Sequence, residues 1–273
     1  MSVTITMASE PYEHLALRQE GDALWVTMNR PDSLNALNRR LTAELRDLFV
    51  NLYWRRDVRV VVLSGAGPAF CAGLDLKELA AGGDALRETG AAGPSEGTAN
   101  RKGPFPDMAT PVIGAVNGVA ITGGFEVALA CDYLVASERA RFADTHARMG
   151  IMPGWGLTVL LPEAVGVRRA KELSTTGNFL DAPTALAWGL VNHVTPHEEL
   201  LPFCQKLAAD IATVDSRAIR QMLATYDEGS LRDGAGAWAL EAEAAGRWQG
   251  EGLDPAALEA SRQAVVERGR QQL

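Results

Sequence analysis

Val58, Val60, Val61, Val62 and Leu63 stand almost shoulder to shoulder in residues 58–64, VRVVVLS. β-Branched side chains suit the pleated backbone of a strand. Successive side chains of a strand point to opposite faces, so an unbroken apolar run leaves no face for water. A strand of this kind is buried, as strands are in α/β proteins whose sheets are covered by helices. The preceding sequence supplies the matching order. Residues 14–29 contain two alternating runs around Glu20-Gly21-Asp22, which predicts a β-hairpin. Asn38 then caps a predicted helix whose Leu41, Leu45, Leu48, Phe49 and Leu52 recur at helical spacing.

Farther along, 111–117 (PVIGAVN) and 131–137 (CDYLVAS) read as strands, with a glycine turn and a short helix between them. Residues 189–195 (GLVNHVT) offer another short strand, and Asp181 followed by Ala182-Pro183 marks a helix start. Residues 80–103 are rich in Gly, Ala and charge with weak periodicity, an excursion that is either a surface loop or a flap over a ligand. From about 198 the pattern is helical. Leu200, Leu201, Cys204, Leu207, Ala208 and Ile211 form one apolar stripe, and residues 235–247 and 254–268 suggest two further helices. Such a tail either covers the core or builds a subunit interface.

Composition narrows the partners. With 273 residues, 47% of them hydrophobic, the chain can bury a sizeable core. Its net charge of −8 argues against nucleic acid or an anionic membrane as the main partner, but leaves room for a phosphorylated ligand held locally. Cys71, Cys131 and Cys204 form no CxxC pair, as expected of reduced thiols in a cytoplasmic protein, with Cys71 a packed side chain. The most apolar region, 111–136, is broken by Asn117, Glu126 and Asp132, which argues against a membrane span. No basic segment followed by an apolar run opens the chain, so a signal peptide is not expected.

One of those interruptions is chemically pointed. In a helix beginning near Gly124, Glu126 shares a face with Leu129 and Ala130. A carboxylate there is either partly buried, with its pKa raised in a way that suits proton transfer, or lies on a solvated edge or in an ion pair. Thr122-Gly123-Gly124 immediately before it can bring free amides to a helix N-terminus, where negative charge is stabilised. A second glycine bend, Phe70 to Lys77, can present another amide from Leu74. Two amides converging on one oxygen make an oxyanion hole, although each bend alone is also an ordinary strand-to-helix turn.

Several segments together resemble the crotonase family, the enoyl-CoA hydratase/isomerase superfamily: NRPDSLNALN at 29–38, AFCAGLDLKEL at 69–79, PVIGAVNGVAITGGFEVALACD at 111–132, FADTHARMGIMPGWG at 142–156 and AWGLVNHV at 187–194. The resemblance implies an α/β fold in which residues 1–197 wind ββα units into a spiral carrying an acyl-CoA site. It implies that residues 198–273 are helical and build a homotrimer or a dimer of trimers. The implied ligand is an acyl-CoA thioester, with no cofactor beyond the coenzyme A of the substrate, and the implied chemistry is an enolate stabilised by two amides. Carried over by motif, these are the amides of Leu74 and Gly123. The stretch Leu74, Asp75, Leu76 and Lys77 would line the CoA arm and thioester, Glu126 would be a catalytic glutamate, and Gly154 would lie near the reacting centre.

At two positions the chain departs from the hydratase pattern. His146 stands where a second glutamate is usual, and Trp155 stands where a small residue is usual, implying a narrower or differently shaped pocket. Glu126 as general base with His146 supplying or relaying a proton would hydrate an enoyl thioester. Glu126 alone would serve a double-bond isomerase, and a protein without turnover would only bind acyl-CoA. His146 has its own bland reading, a place in a polar cluster with Asp144 and Arg148. Lys77, Arg30, Arg262, Arg268 and Arg270 are candidates for the CoA phosphates, and each also fits a solvated surface charge. An Asp-x-His pair offers two ligands and no third, so no metal is expected. His14, His193 and His197 read as structural or exposed.

Overall fold

The computed structural model describes residues 12–81, 105, 110–230 and 232–250, with single positions 262, 265, 268 and 270. The expected excursion from 82 onward, and most of the helix expected at 254–268, lie outside these residues. The described chain divides into two compact units that part between Arg220 and Gln221.

In the first unit, β1 (Leu15–Glu20) and β2 (Ala23–Met28) form the hairpin expected from their alternation, with Leu15 opposite Met28 and Glu20 opposite Ala23. α1 (Arg39–Leu52) begins where the Asn38 side chain accepts the Leu41 amide at 2.8 Å. Then come β3 (Val60–Gly65), β4 (Ala69–Cys71) and α2 (Leu76–Ala81); β5 (Val112–Val116), β6 (Val119–Ile121) and α3 (Gly123–Leu129); and β7 (Tyr133–Ser137), β8 (Arg141–Ala143) and α4 (His146–Met149). Two strands followed by a helix, three times over, are successive turns of one spiral. The first strand of each turn joins a six-stranded sheet ordered β1-β2-β3-β5-β7-β10, and the second joins a smaller sheet ordered β4-β6-β8-β9. Within each sheet the successive turns pair in parallel. This is the ββα spiral implied by the resemblance.

The spiral continues through α5 (Leu157–Val165), α6 (Val167–Thr176), β9 (Leu180–Asp181), α7 (Ala182–Trp188) and β10 (His193–Thr195). Asp181 caps α7 through the Thr184 amide at 2.8 Å. The strand expected at 189–195 is confined to its last three residues, because Gly189 ends α7 with φ of 83°. α8 (Leu200–Ala212) then packs across the large sheet.

The valine run now has its reason. Val61 and Leu63 point into the spiral interior with Leu41, Leu45 and Phe49, while Val60 and Val62 lie beneath Leu200, Cys204 and Ala208 of α8. Each such buried side chain contributes about 1.5–3 kcal/mol over leaving it in water. Asn35 and Asn117 hold the turn that carries the chain from the large sheet to the small one. Asn35 donates to the carbonyls of Ala66 and Ala69 at 2.9 and 2.8 Å, and Asn117 to those of Gly67 and Ala69 at 3.0 and 3.2 Å. α9 (Ser216–Gly229) crosses the boundary, and the second unit contains α10 (Gly234–Gly250). Among the described residues, no helix is long and apolar enough to cross a membrane.

Candidate active site

The small sheet brings two bends together. β4 and β6 are parallel neighbours, so the chain leaves both at the same end. After β4, Gly73 takes φ of 93°, and a Cβ there would lie 2.7 Å from the Ile121 carbonyl oxygen. Both the conformation and the close approach require glycine. Leu74 then pairs with Leu37: the Leu37 amide donates to Gly73 at 2.7 Å and the Asp75 amide to Leu37 at 3.0 Å. In a parallel bridge the middle residue directs its own amide away from its partner strand. The Leu74 N–H has no backbone partner among the described residues.

After β6, Thr122 adopts φ of 53° and ψ of −117°, a sharp turn for a β-branched residue, and α3 starts at Gly123. The Gly123 N–H is the first of that helix and has no intrahelical acceptor. The Leu74 side chain lies against it, since a Cβ on Gly123 would sit 3.7 Å from Leu74 Cδ2. At Gly124 a Cβ would come within 2.1 Å of the Cys71 carbonyl oxygen, so the start of α3 rests directly on the backbone of β4.

Glu126, in the first turn of α3, is 3% exposed. Its Oε1 accepts the Trp155 amide at 2.7 Å and the Leu157 amide at 3.5 Å, and its Oε2 lies 3.4 Å from His146 Nε2. The other face of that ring meets Asp144. Asp144 Oδ1 is 2.7 Å from His146 Nδ1 and also accepts the His146 backbone amide at 3.1 Å. His146 and Asp144 are themselves 3% and 2% exposed. Burial opposes the charged ring, but hydrogen bonds and attraction from Asp144 and Glu126 outweigh it and raise His146 to about 9. Burial likewise works against the Asp144 carboxylate, while hydrogen bonds from His146 and Ser174 hold it below the usual range. At neutral pH the His146 ring is held protonated between Asp144 and Glu126.

Leu74, Gly123, Glu126 and His146 are thus supplied by adjoining bends and helix starts of the small sheet. The other sequence candidates lie differently. Asp75 turns to Arg30 at 3.0 Å and accepts the amides of Lys77 and Glu78 at 3.2 and 3.4 Å, capping α2. Burial raises the Asp75 pKa, but the Arg30 contact prevails and lowers it. Leu76, Lys77 and Gly154 are exposed. Arg30 is 15% exposed, bonded to Asp75 and the Ala36 carbonyl, so its local role is to brace this bend rather than to act as a free surface charge. Arg148 donates to the Thr176 carbonyl at 2.7 Å. The Trp155 side chain is buried in the main core, and its backbone amide reaches the site.

The contacts from Trp155 and Leu157 to Glu126 are not legible in the sequence, because a backbone amide carries no side-chain signature. Asp144 was visible as the neighbour of His146, but its grip on the ring required coordinates. Cys71 is fully buried, and burial pushes its thiol up to about 12, as suits a packed side chain. His14 approaches Asn38 at 3.4 Å, His197 bonds Ser137 at 3.0 Å and the His193 ring lies tilted against Phe203, so each has its own local contact. Among the described residues, no three His, Cys, Asp or Glu side chains gather as a metal site.

Comparison with known proteins places the fold and the motifs in a family. The family model Enoyl-CoA hydratase/isomerase matches residues 18–271. A relative described as probable enoyl-CoA hydratase 1, peroxisomal, from Arabidopsis thaliana is 37% identical, over 84% of this chain and 83% of its own. The crystal structure of enoyl-CoA hydratase from Mycobacterium tuberculosis H37Rv is 42% identical, with a TM-score of 0.71 over 85% of this chain and 97% of its own. Enoyl-CoA hydratase from Bacillus anthracis is 32% identical, with a TM-score of 0.83 over 94% and 97%. Spiral, motifs and relatives agree, and the chain belongs to the enoyl-CoA hydratase/isomerase family.

Proposed function

We propose that this enzyme adds water across the double bond of a trans-2-enoyl-CoA to give the 3-hydroxyacyl-CoA. The observation that carries this reading is the Glu126–His146 pair, two buried acid–base groups 3.4 Å apart. Hydration moves two protons, one off the attacking water and one onto C2. The thioester oxygen accepts from the amides of Leu74 and Gly123, which stabilise charge as it develops. Glu126 takes a proton from water as the oxygen bonds to C3, and the π electrons shift to the enolate. His146 delivers the Nε2 proton to C2 as the enolate collapses. Transfer from the protonated Glu126 to neutral His146 restores the starting state. Leu76, Lys77 and Gly154 remain candidates for contact with the CoA arm, with Asp75 shaping the bend beneath it.

The alternatives remain an isomerase in which Glu126 shuttles one proton without water, and a binder without turnover. Reaction in oxygen-18 water separates the three. The proposal expects one labelled oxygen in a 3-hydroxyacyl product. A shifted double bond without label would make the protein an isomerase, and saturable binding without either product would make it a binder. A cytoplasmic setting and assembly as a homotrimer or dimer of trimers through the C-terminal helices belong to the same proposal. The three buried cysteines, none of them in a disulfide, suit the first.

A further inference from the structure

Asp144 has no part in the steps just described, yet it is one of the most deeply enclosed carboxylates of the chain. It lies between β8 and α4, and Ser174 of α6 hydrogen-bonds to it. Its Oδ1 receives two donors from one residue, the backbone N–H and ring Nδ1 of His146. The first bond alone would steady the start of α4. The second fixes a ring: with Nδ1–H engaged by Asp144, the ring nitrogen left to face Glu126 is Nε2.

We infer that Asp144 is a positioning residue for the reaction, its carboxylate orienting His146 so that Nε2 carries the proton exchanged with substrate and with Glu126. This inference rests on the proposed role of His146. Two charged groups face the ring, Glu126 from α3 and Asp144 ahead of α4. Removing the Asp144 charge while keeping its shape therefore weakens the hold on the imidazolium without emptying the site.

The test compares D144N, H146Q and the double variant in enoyl-CoA hydration. An asparagine oxygen can still accept the His146 amide, so α4 keeps its brace. D144N is expected to lower kcat/KM about ten- to hundred-fold, the scale of one charge-assisted hydrogen bond, mostly through kcat. The alkaline limb of its pH profile is expected to move down by about one to two units. In the H146Q background the loss caused by D144N shrinks to about two-fold, because its target is gone. D144E retains the charge and is expected to leave the alkaline limb near its wild-type position even where the longer arm slows turnover, which keeps the inference testable if D144N folds poorly. An unmoved limb in D144N, or an equal loss with and without His146, would overturn the positioning role alone. Wild-type hydration by H146Q would overturn the reading of His146 as proton donor, and the role of Asp144 with it.

Discussion

The charged centre should make stability depend on alkaline pH in a definite direction. His146 has an ordinary value of 6.5 and rises to about 9 in the folded protein. Below pH 6.5 the ring is protonated folded or unfolded, and its full contribution is present. Between 6.5 and 9 the unfolded chain releases the proton while the folded chain keeps it, so folding must take up a proton and stability falls as pH rises. Above about 9 the contribution is lost. With 1.36 kcal/mol for each unit, the decline across this window is about 3 kcal/mol. Urea unfolding at fixed protein concentration from pH 6 to 9.5 measures it, and NMR titration of the His146 ring locates the midpoint directly. D144N/H146Q, which replaces the ion pair by neutral groups, should flatten the slope. The buried thiols add to the fall at the top of this range: Cys71 and Cys204 are pushed up to about 12 by burial, so their effect begins as the unfolded thiols ionise near 9, and the slope below about pH 8 is the one that reports His146. A stability that is level or rises between 6.5 and 9, or a ring midpoint at or below 6.5, would refute the ion-pair arrangement.

Two further substitutions probe other parts of the site. E126Q preserves an oxygen for the Trp155 and Leu157 amides, so the far-UV spectrum should change little, while Tm falls modestly because the His146 ring loses one of its two acidic partners. Hydration should fall by at least about a hundred-fold, because the general base is gone, and steady-state kinetics on an enoyl-CoA measures that loss. G124A forces a Cβ toward the Cys71 carbonyl, which cannot yield without moving β4. Denaturant unfolding should show a loss of about 1–3 kcal/mol.

Much of this architecture was legible because some stretches permit few solutions. The run Val60 to Leu63 has no polar face, and it is covered on one side by the spiral interior and on the other by α8. Asn38 and Asp181 advertised their helices through a side-chain oxygen, the one kind of cap that sequence displays openly. The small sheet was hidden for the opposite reason. β4, β6 and β8 have three residues each, too few for a period, and their pairing comes from the winding of the chain. The site divides along the same line. A carboxylate at 126 amid apolar neighbours invited attention, as did a histidine in place of a glutamate. That these two face each other follows from neighbouring turns of the spiral, which residue spacing does not encode. The contacts of Arg30 to Asp75 and to the Ala36 carbonyl were not legible, because an arginine reads the same in sequence whether it braces a bend or lies in solvent.

The grip of two main-chain amides on the thioester can be observed in the substrate itself. Difference infrared spectroscopy of a bound acyl-CoA carrying carbon-13 at the thioester carbonyl isolates that one stretching band. Donation from the amides of Leu74 and Gly123 weakens the C=O bond, so the band should fall in frequency on binding and persist in E126Q, where the complex turns over slowly. A band at its frequency in water or higher would contradict the oxyanion arrangement on which the proposed chemistry stands.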